Sequence, residues 1–274
     1  MSTPTFVTAE PFVAGRQVVL GEAAVHHIRV RRLEIGARVA LLDGQGGRAS
    51  GVLVRLAKRN ATVEVDAVHT EAAPVPVHLI LPIADKERML WLAEKAAELG
   101  ASSWRPVQFR RSRSVAARGE GTMFTQKVSA RMAGALEQSG NAWLPTIYPD
   151  ATIDRAVAAA PAGIRIILDG SGEPLARLDA LVARSAVARA AHPVPCAPSA
   201  AGDDATPEPV TIAVGPEGGI EPDELERFIE GGFRTASVGA TVLRFETAAI
   251  AALGIVRSLV APDVAPDVAP ESAP

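Results

Sequence analysis

The sequence predicts an α/β chain in two parts: a small N-terminal β-barrel, then a larger domain of alternating strands and helices around a mostly parallel sheet. Three observations carry this prediction. The first 70 residues hold only short, closely spaced strand signals with turn residues between them. A proline-marked linker occupies 71–76, and beyond it apolar strand runs alternate with helical patterns. Near the C-terminus two glycine-centred segments, Val214-Gly215-Pro216-Glu217-Gly218-Gly219 and Val238-Gly239-Ala240-Thr241-Val242-Leu243, each come after a short apolar run and lead towards a helix.

In chain order, the barrel signals are strands at 17–20, 38–42, 49–56 and 62–68, with Asp43-Gly44-Gln45-Gly46-Gly47 reading as a hairpin turn. After the linker, 77–83 is an apolar strand. Residues 86–99 form an amphipathic helix with Met89, Leu92, Ala93, Ala96 and Leu99 on one face and Gly100 as its stop. Buried strands are expected at 164–168, 210–214 and 236–238. A helix at 222–229 has Pro222 in its first turn, Asp223 and Glu224 near its positive end, and Gly231-Gly232 behind it. A last helix, 247–259, is rich in Ala and Gly. The Pro/Ala/Asp-rich stretch 190–209 reads as a flexible insertion, and 261–274 as a low-complexity, disordered tail. The expected division is therefore 1–70, a linker at 71–76, 77–260, and the tail.

Composition narrows the function classes. A chain of 274 residues with 48% hydrophobic residues can build a sizeable core, but at 4% aromatics that core rests on Ala, Val, Leu and Ile. No apolar run is long enough to span a bilayer, and the first residues show no signal-peptide pattern, so a cytoplasmic location is expected. The one cysteine, Cys196, excludes an internal disulfide. Net charge is −3, unevenly spread: nine basic residues against six acidic in 1–70, ten against eight in 71–150, and nine against seventeen from 151 onward. A local basic patch on the first half is compatible with that total.

Two glycine turns at the ends of two strands can line one pocket with backbone N–H and C=O groups, the usual way an open α/β sheet builds a small-molecule site. Other motifs read more plainly. Gly44-x-Gly46-x-x-Ala49 nominally fits a dinucleotide fingerprint and keeps a Rossmann-type oxidoreductase open, but that reading requires a helix after Gly47 where a strand is predicted. The Gly215 segment lacks the Gly-Lys-Ser/Thr of a nucleotide-phosphate loop. His26 and His27 have neither metal-site spacing nor cysteine companions, so no metal is expected. Arg29, Arg31 and Arg32 form one candidate phosphate-contacting patch, and Arg110, Arg111, Arg113 and Arg118 another. Trp104, Phe109 and Trp143 are scattered, which suits core packing better than base stacking.

The same segments carry a family resemblance. Residues 214–248 contain GPEGG, an acidic helix, and then VGATVLRFETA, similar to the GPEGG…LGxx[IV]LRxETA pattern of the bacterial small-subunit ribosomal RNA uridine-N3 methyltransferases (the RsmE family). Val238 stands where Leu is usual and Phe245 where Thr is usual. The helix KERMLWLAEKAAELG at 86–100, Glu137-Gln138-Ser139-Gly140 (with Asn141 next, where Arg is frequent) and His26-His27 through Gly36 resemble further family segments, so the resemblance spans nearly the whole chain.

The resemblance implies an N-terminal PUA-like barrel that binds RNA and a SPOUT methyltransferase domain with a trefoil knot. It implies S-adenosylmethionine as cofactor, homodimers, and a uridine of 16S ribosomal RNA, within the small ribosomal subunit, as substrate. The candidate donor-binding residues are Leu168 and Gly170; Val214, Gly215, Pro216, Glu217 and Gly218; and Val238, Gly239, Val242, Leu243, Arg244 and Thr247. Arg244 is the first candidate to stabilise the uracil anion, with Arg110 or Arg111 as alternatives. Glu217 is a candidate base, or else a helix N-cap. Glu246 is expected to tie the last helix to Arg244. An RNA-binding module without activity, and the same fold acting on another RNA position, remain alternatives.

Overall fold

The structure, a computed structural model, describes residues 3–112, 119–178, 181 and 208–260. Arg113, Arg118, Cys196, most of the 190–209 insertion and the 261–274 tail lie outside the described residues. The chain falls into two compact units interleaved along the sequence, Met1–Ala73 with Ile83–Trp104 and Ser114–Asp150, and Pro74–Pro82 with Arg105–Arg113 and Ala151–Pro274.

The first unit contains a five-stranded sheet of β1 (Thr5–Val7), β2 (Gln17–Leu20), β3 (Arg38–Leu42), β4 (Gly47–Leu56) and β5 (Ala61–Thr70), in the order β1-β3-β4-β5-β2. Along β4 and the first half of β5, small and apolar side chains such as Ala49, Leu53, Val63 and Val65 turn into a core with Phe6, Val18, Leu20, Val39 and Leu41. An unforeseen helix, α1 (Glu22–Val30), closes this core with Val25 and Ile28. The 43–47 turn forms as expected. The Asp43 carboxylate accepts from the N–H groups of Gln45 (2.6 Å) and Gly47 (2.8 Å). The turn leads into a ten-residue strand, so the helix that a dinucleotide fingerprint requires is absent at this position.

Two packed helices, α2 (Lys86–Glu98) and α3 (Thr122–Ser139), belong to the same unit. Asp85 caps α2 by accepting from the Arg88 N–H at 3.0 Å. Asp85→Ala is expected to lower stability by about 1 kcal/mol, read as a lower denaturation midpoint at unchanged slope. Gly140 ends α3 in the left-handed conformation (φ 75°). Just before it, Glu137 accepts from the Val7 N–H (3.1 Å) and pairs with His27 (3.1 Å). His27 and the Glu-Gln-Ser-Gly element thus meet as a structural clasp. Trp104 is buried, and Trp143 packs against Gly46. Both serve the interior.

In the second unit, β6 (Val77–Pro82), β9 (Ile164–Pro174) and β10 (Val210–Val214) form the centre of a parallel sheet. Its order runs β11 (Arg234–Ser237), β9, β10, β6, then β7 (Ser103–Val107). β10 is buried throughout, and Ile212 lies between Leu79 and Ile166. Covered on both faces, such strands read as unbroken apolar runs. A two-residue β8 (Thr146–Ile147) pairs with Ser103 and Trp104 in the first unit. Over this sheet lie α4 (Ile153–Ala158), α5 (Pro222–Glu230) and α6 (Phe245–Val260). Phe109 stacks on Phe228 (6.0 Å, 14°), which meets Phe233 edge-on (5.1 Å, 82°). α6 buries Ala249, Ala252, Leu253 and Val256. Its Arg257 donates to the Val75 carbonyl at 2.6 Å, and burial lowers this guanidinium's pKa to about 10. His78 is likewise lowered, by burial first and then by Arg257 and Arg105.

β9 is much longer than the sequence indicates. Its first half pairs with β11 at Ile166↔Arg234 and Ile167↔Thr235, and the register then jumps to Glu173↔Ala236 and Pro174↔Ser237. Residues 168–172 bulge out between these two stretches.

Candidate active site

The bulge and the two glycine turns converge at the strand ends on a pocket of about 440 Å3, within the range of small-molecule sites. One wall is Leu168, Asp169 and Gly170 from β9. The second is Val214, Gly215, Pro216, Glu217, Gly219 and Ile220 after β10. The third is Ala236 through Leu243, with Phe245 and Ala248 at the start of α6. Of the sequence candidates, Leu168, Gly170, Val214, Gly215, Pro216, Glu217, Val238, Gly239, Val242 and Leu243 line this space. Gly218, Arg244 and Thr247 are not among its lining residues.

The loops have physical reasons for their shape. Gly239 adopts φ 148°, a conformation side chains disfavour. Gly218 is met by backbone, since a Cβ there would lie 2.9 Å from both the Arg111 carbonyl oxygen and its Cβ. Arg111 in turn grips the loop. Its guanidinium donates to the two Glu221 carboxylate oxygens (2.6 and 3.0 Å) and to the Gly218 carbonyl (3.2 Å). The neighbouring Arg110 pairs with Asp223, and its backbone N–H donates to Glu224 at 2.8 Å. Glu224 is 3% exposed and also accepts from the Glu221 N–H at 3.2 Å, in a capping box at the start of α5. These contacts correct one expectation. The helix N-cap is Glu221, and Glu217 is instead an exposed loop residue at the pocket. Arg110 and Arg111 form ion pairs with Asp223 and Glu221 at the start of α5 while their side chains stay about half exposed.

Arg244 is exposed, and its carbonyl accepts the Ala248 N–H at 2.9 Å, so it stands at the N-terminal edge of α6 beside Leu243 and Phe245. Glu246 is buried in the first turn of the same helix. In the first unit, Arg29, Arg31 and Arg32 are exposed on and after α1, and Arg29 donates to the Ala57 carbonyl (3.2 Å) at the turn that carries Lys58 and Arg59. Gly219, Ala240 and Thr241 line the pocket as parts of the two glycine segments, whereas sequence reasoning missed Asp169, Ile220, Ala236, Ser237, Phe245 and Ala248. The available signal was Asp169-Gly170-Ser171-Gly172, a third glycine turn after a buried strand.

The pocket's apolar walls suit a flat ring, and its glycine loops present backbone to a ligand's polar edges. Asp169 and Glu217 add negative charge. These features fit a cationic nucleoside such as S-adenosylmethionine. Among the described residues no cluster of His, Cys, Asp and Glu that would hold a metal ion occurs, and no helix is long and apolar enough to cross a membrane.

Comparison with known proteins bears on the same regions. Residues 71–257 match the model of an RNA methyltransferase domain, and residues 20–66 that of an RNA methyltransferase PUA domain. The chain is 26% identical to a ribosomal RNA small subunit methyltransferase E from Synechocystis, over 94% of this chain and 80% of the relative. With a protein of the same name from Mycobacterium bovis the figures are 28%, 93% and 91%. A crystal structure of a ribosomal RNA small subunit methyltransferase E from Neisseria gonorrhoeae bound to S-adenosyl methionine is similar at a TM-score of 0.74 and 25% identity, over 94% of this chain and 98% of that one.

Proposed function

The chain belongs to the RNA methyltransferase domain family, and from that premise we propose that it transfers the methyl group of S-adenosylmethionine to N3 of one uridine in 16S ribosomal RNA. The observation that carries this is the meeting of three strand-end turns on one acidic-rimmed pocket. The names of the relatives support the substrate, and the cofactor in the Neisseria structure supports the donor.

When bound, the donor supplies an electrophilic methyl carbon, and the protein's residues arrange the rest. Leu168, Val214, Val238 and Leu243 give the adenine an apolar slot. Backbone groups of the 215–219 and 238–243 turns would orient it. Orientation alone can supply much of the acceleration. Uridine N3 becomes nucleophilic when its proton leaves, and negative charge then spreads to the uracil carbonyls. Arg244, at the positive end of α6, stabilises that charge. Glu217 takes the proton. Arg111 positions the turn carrying Gly218 and Glu217.

Residues 1–70 serve RNA recognition and 77–260 catalysis, the latter with a trefoil knot and with α2 and α3 as its part that clusters with the barrel. The protein acts in the cytoplasm as a homodimer. Arg29, Arg31 and Arg32 contact phosphates, with Arg113 as a further candidate. Changing the first three to alanine is expected to weaken RNA binding across sequences and to reduce the salt slope of the affinity by about one per lost contact, measured by filter binding over a salt series.

The deciding experiment is mass spectrometry of 16S ribosomal RNA from a strain lacking the protein, and then methylation of that strain's small subunits in vitro. Loss and restoration of one N3-methyluridine supports the proposal. An unchanged modification map rejects it, and binding of RNA without binding of the donor favours an RNA-binding module.

A further inference from the structure

Asp169, between the site candidates Leu168 and Gly170, sits where the β9 bulge forms a wall of the pocket. Its Oδ1 accepts from both the backbone N–H (2.9 Å) and the hydroxyl of Ser171, which fixes the carboxylate within the bulge. Among the described pocket-lining residues, Asp169 and Glu217 are the ionisable side chains. Both are acids, and neither Lys, Arg nor His joins them. Arg110 pairs with Asp223 and Arg111 with Glu221, and Arg244 lies outside the lining, between Leu243 and Phe245.

A methyl donor of the sulfonium class carries a positive sulfur. Methyl transfer breaks the S–CH3 bond, and the electron pair stays on sulfur as a neutral thioether. Donor and product therefore differ by one methyl group and one unit of charge. A purely apolar slot separates them weakly, because a single methyl group is worth little discrimination. A fixed carboxylate in a partly dry pocket responds to the charge instead.

We propose that Asp169 is a specificity-determining residue that makes the pocket a charge filter, favouring the cationic methyl donor over its neutral demethylated product. This inference rests on the methyltransferase reading of the pocket above. Asp169 attracts the sulfonium while it is charged and loses that attraction once the methyl group has left. The same residue thus strengthens donor capture and eases product departure. Glu217 adds to the field from the opposite turn, but it is exposed and tied to the proposed chemistry, so Asp169 is the residue that isolates the effect.

The test is isothermal titration of the full-length protein with three ligands: S-adenosylmethionine, S-adenosylhomocysteine, and sinefungin, whose protonated amine replaces the sulfonium. Asp169→Asn keeps an oxygen to accept from Ser171 and removes only the charge. The expected result is roughly three- to tenfold weaker binding of both cationic ligands, with little change for the neutral one. Equal losses for all three ligands, or no loss for any, overturn the proposal. Raising ionic strength on the unmodified protein should shrink the preference for the cations. A preference that ignores salt counts against the charge filter even if the variant does not fold. If the unmodified protein binds none of the three, the methyl-donor reading itself fails, which differs from the case where it binds all three without regard to charge.

Discussion

Arg244→Ala is expected to lower the single-turnover rate of methyl transfer by about 10²–10³-fold, the usual cost of removing one donor aimed at developing negative charge. The affinity for S-adenosylmethionine should change little, because the pocket walls are made by Leu168, Val214, Val238 and their neighbours and Arg244 is not among the lining residues. Its place just before the first turn of α6 adds the helix's own positive end to its charge. Arg244→Lys retains a cation without the planar fork and should recover only part of the rate. Rapid-quench assays on undermethylated small subunits, with titration of the methyl donor in parallel, give the two quantities separately. A variant that loses donor binding and rate together would mark Arg244 as part of the donor site.

Gly172→Val should be strongly damaging to the second unit. A Cβ at this position would lie 2.5 Å from the Ala236 nitrogen and 2.6 Å from both the Ala236 Cα and the Thr235 carbonyl carbon. These are backbone atoms, so no rotamer change relieves the clash, and β9 must separate from β11. That pairing is also what holds the 168–172 bulge opposite Ala236 and Ser237 across the pocket. A loss of about 3 kcal/mol is expected, the upper end for overpacking, which corresponds to a melting shift of roughly 6–12 °C. Donor binding should disappear with it. Gly170→Ala is the stability control. A Cβ there meets nothing within 4 Å, so its melting temperature should stay near that of the unmodified protein.

What the sequence made legible depended on how local the cause was. β6 and β10 were readable because strands covered on both faces must be apolar throughout. The Asp43–Gly47 turn and the Pro222 helix were readable because turns and caps are set by a few adjacent residues. α3 was not, since Gly121 at its start provides no side-chain cap and its small residues leave a faint apolar stripe. The second half of β9 was hidden for a different reason. Asp169 through Pro174 look like turn residues, and only the distant β11 makes their last two into a strand. At the site, two of the three turns were visible from glycine spacing. The ion pairs of Arg110 and Arg111 depend on Asp223 and Glu221, more than a hundred positions later in the chain, so no local pattern could separate these arginines from an ordinary charged loop.

The parallel pairing of β6 with β10 also sets a timetable for biosynthesis. Val77 finds its register opposite Val210, and Arg257 reaches back to Val75 only when the last helix exists. The strand at the centre of the catalytic half therefore leaves the exit tunnel with one edge bare and waits for well over a hundred further residues before that neighbour arrives. Closure of such distant partners is slow, and an uncovered apolar edge is prone to pair with other chains. Nascent copies of this enzyme should accordingly lean on holding chaperones throughout synthesis of their second half.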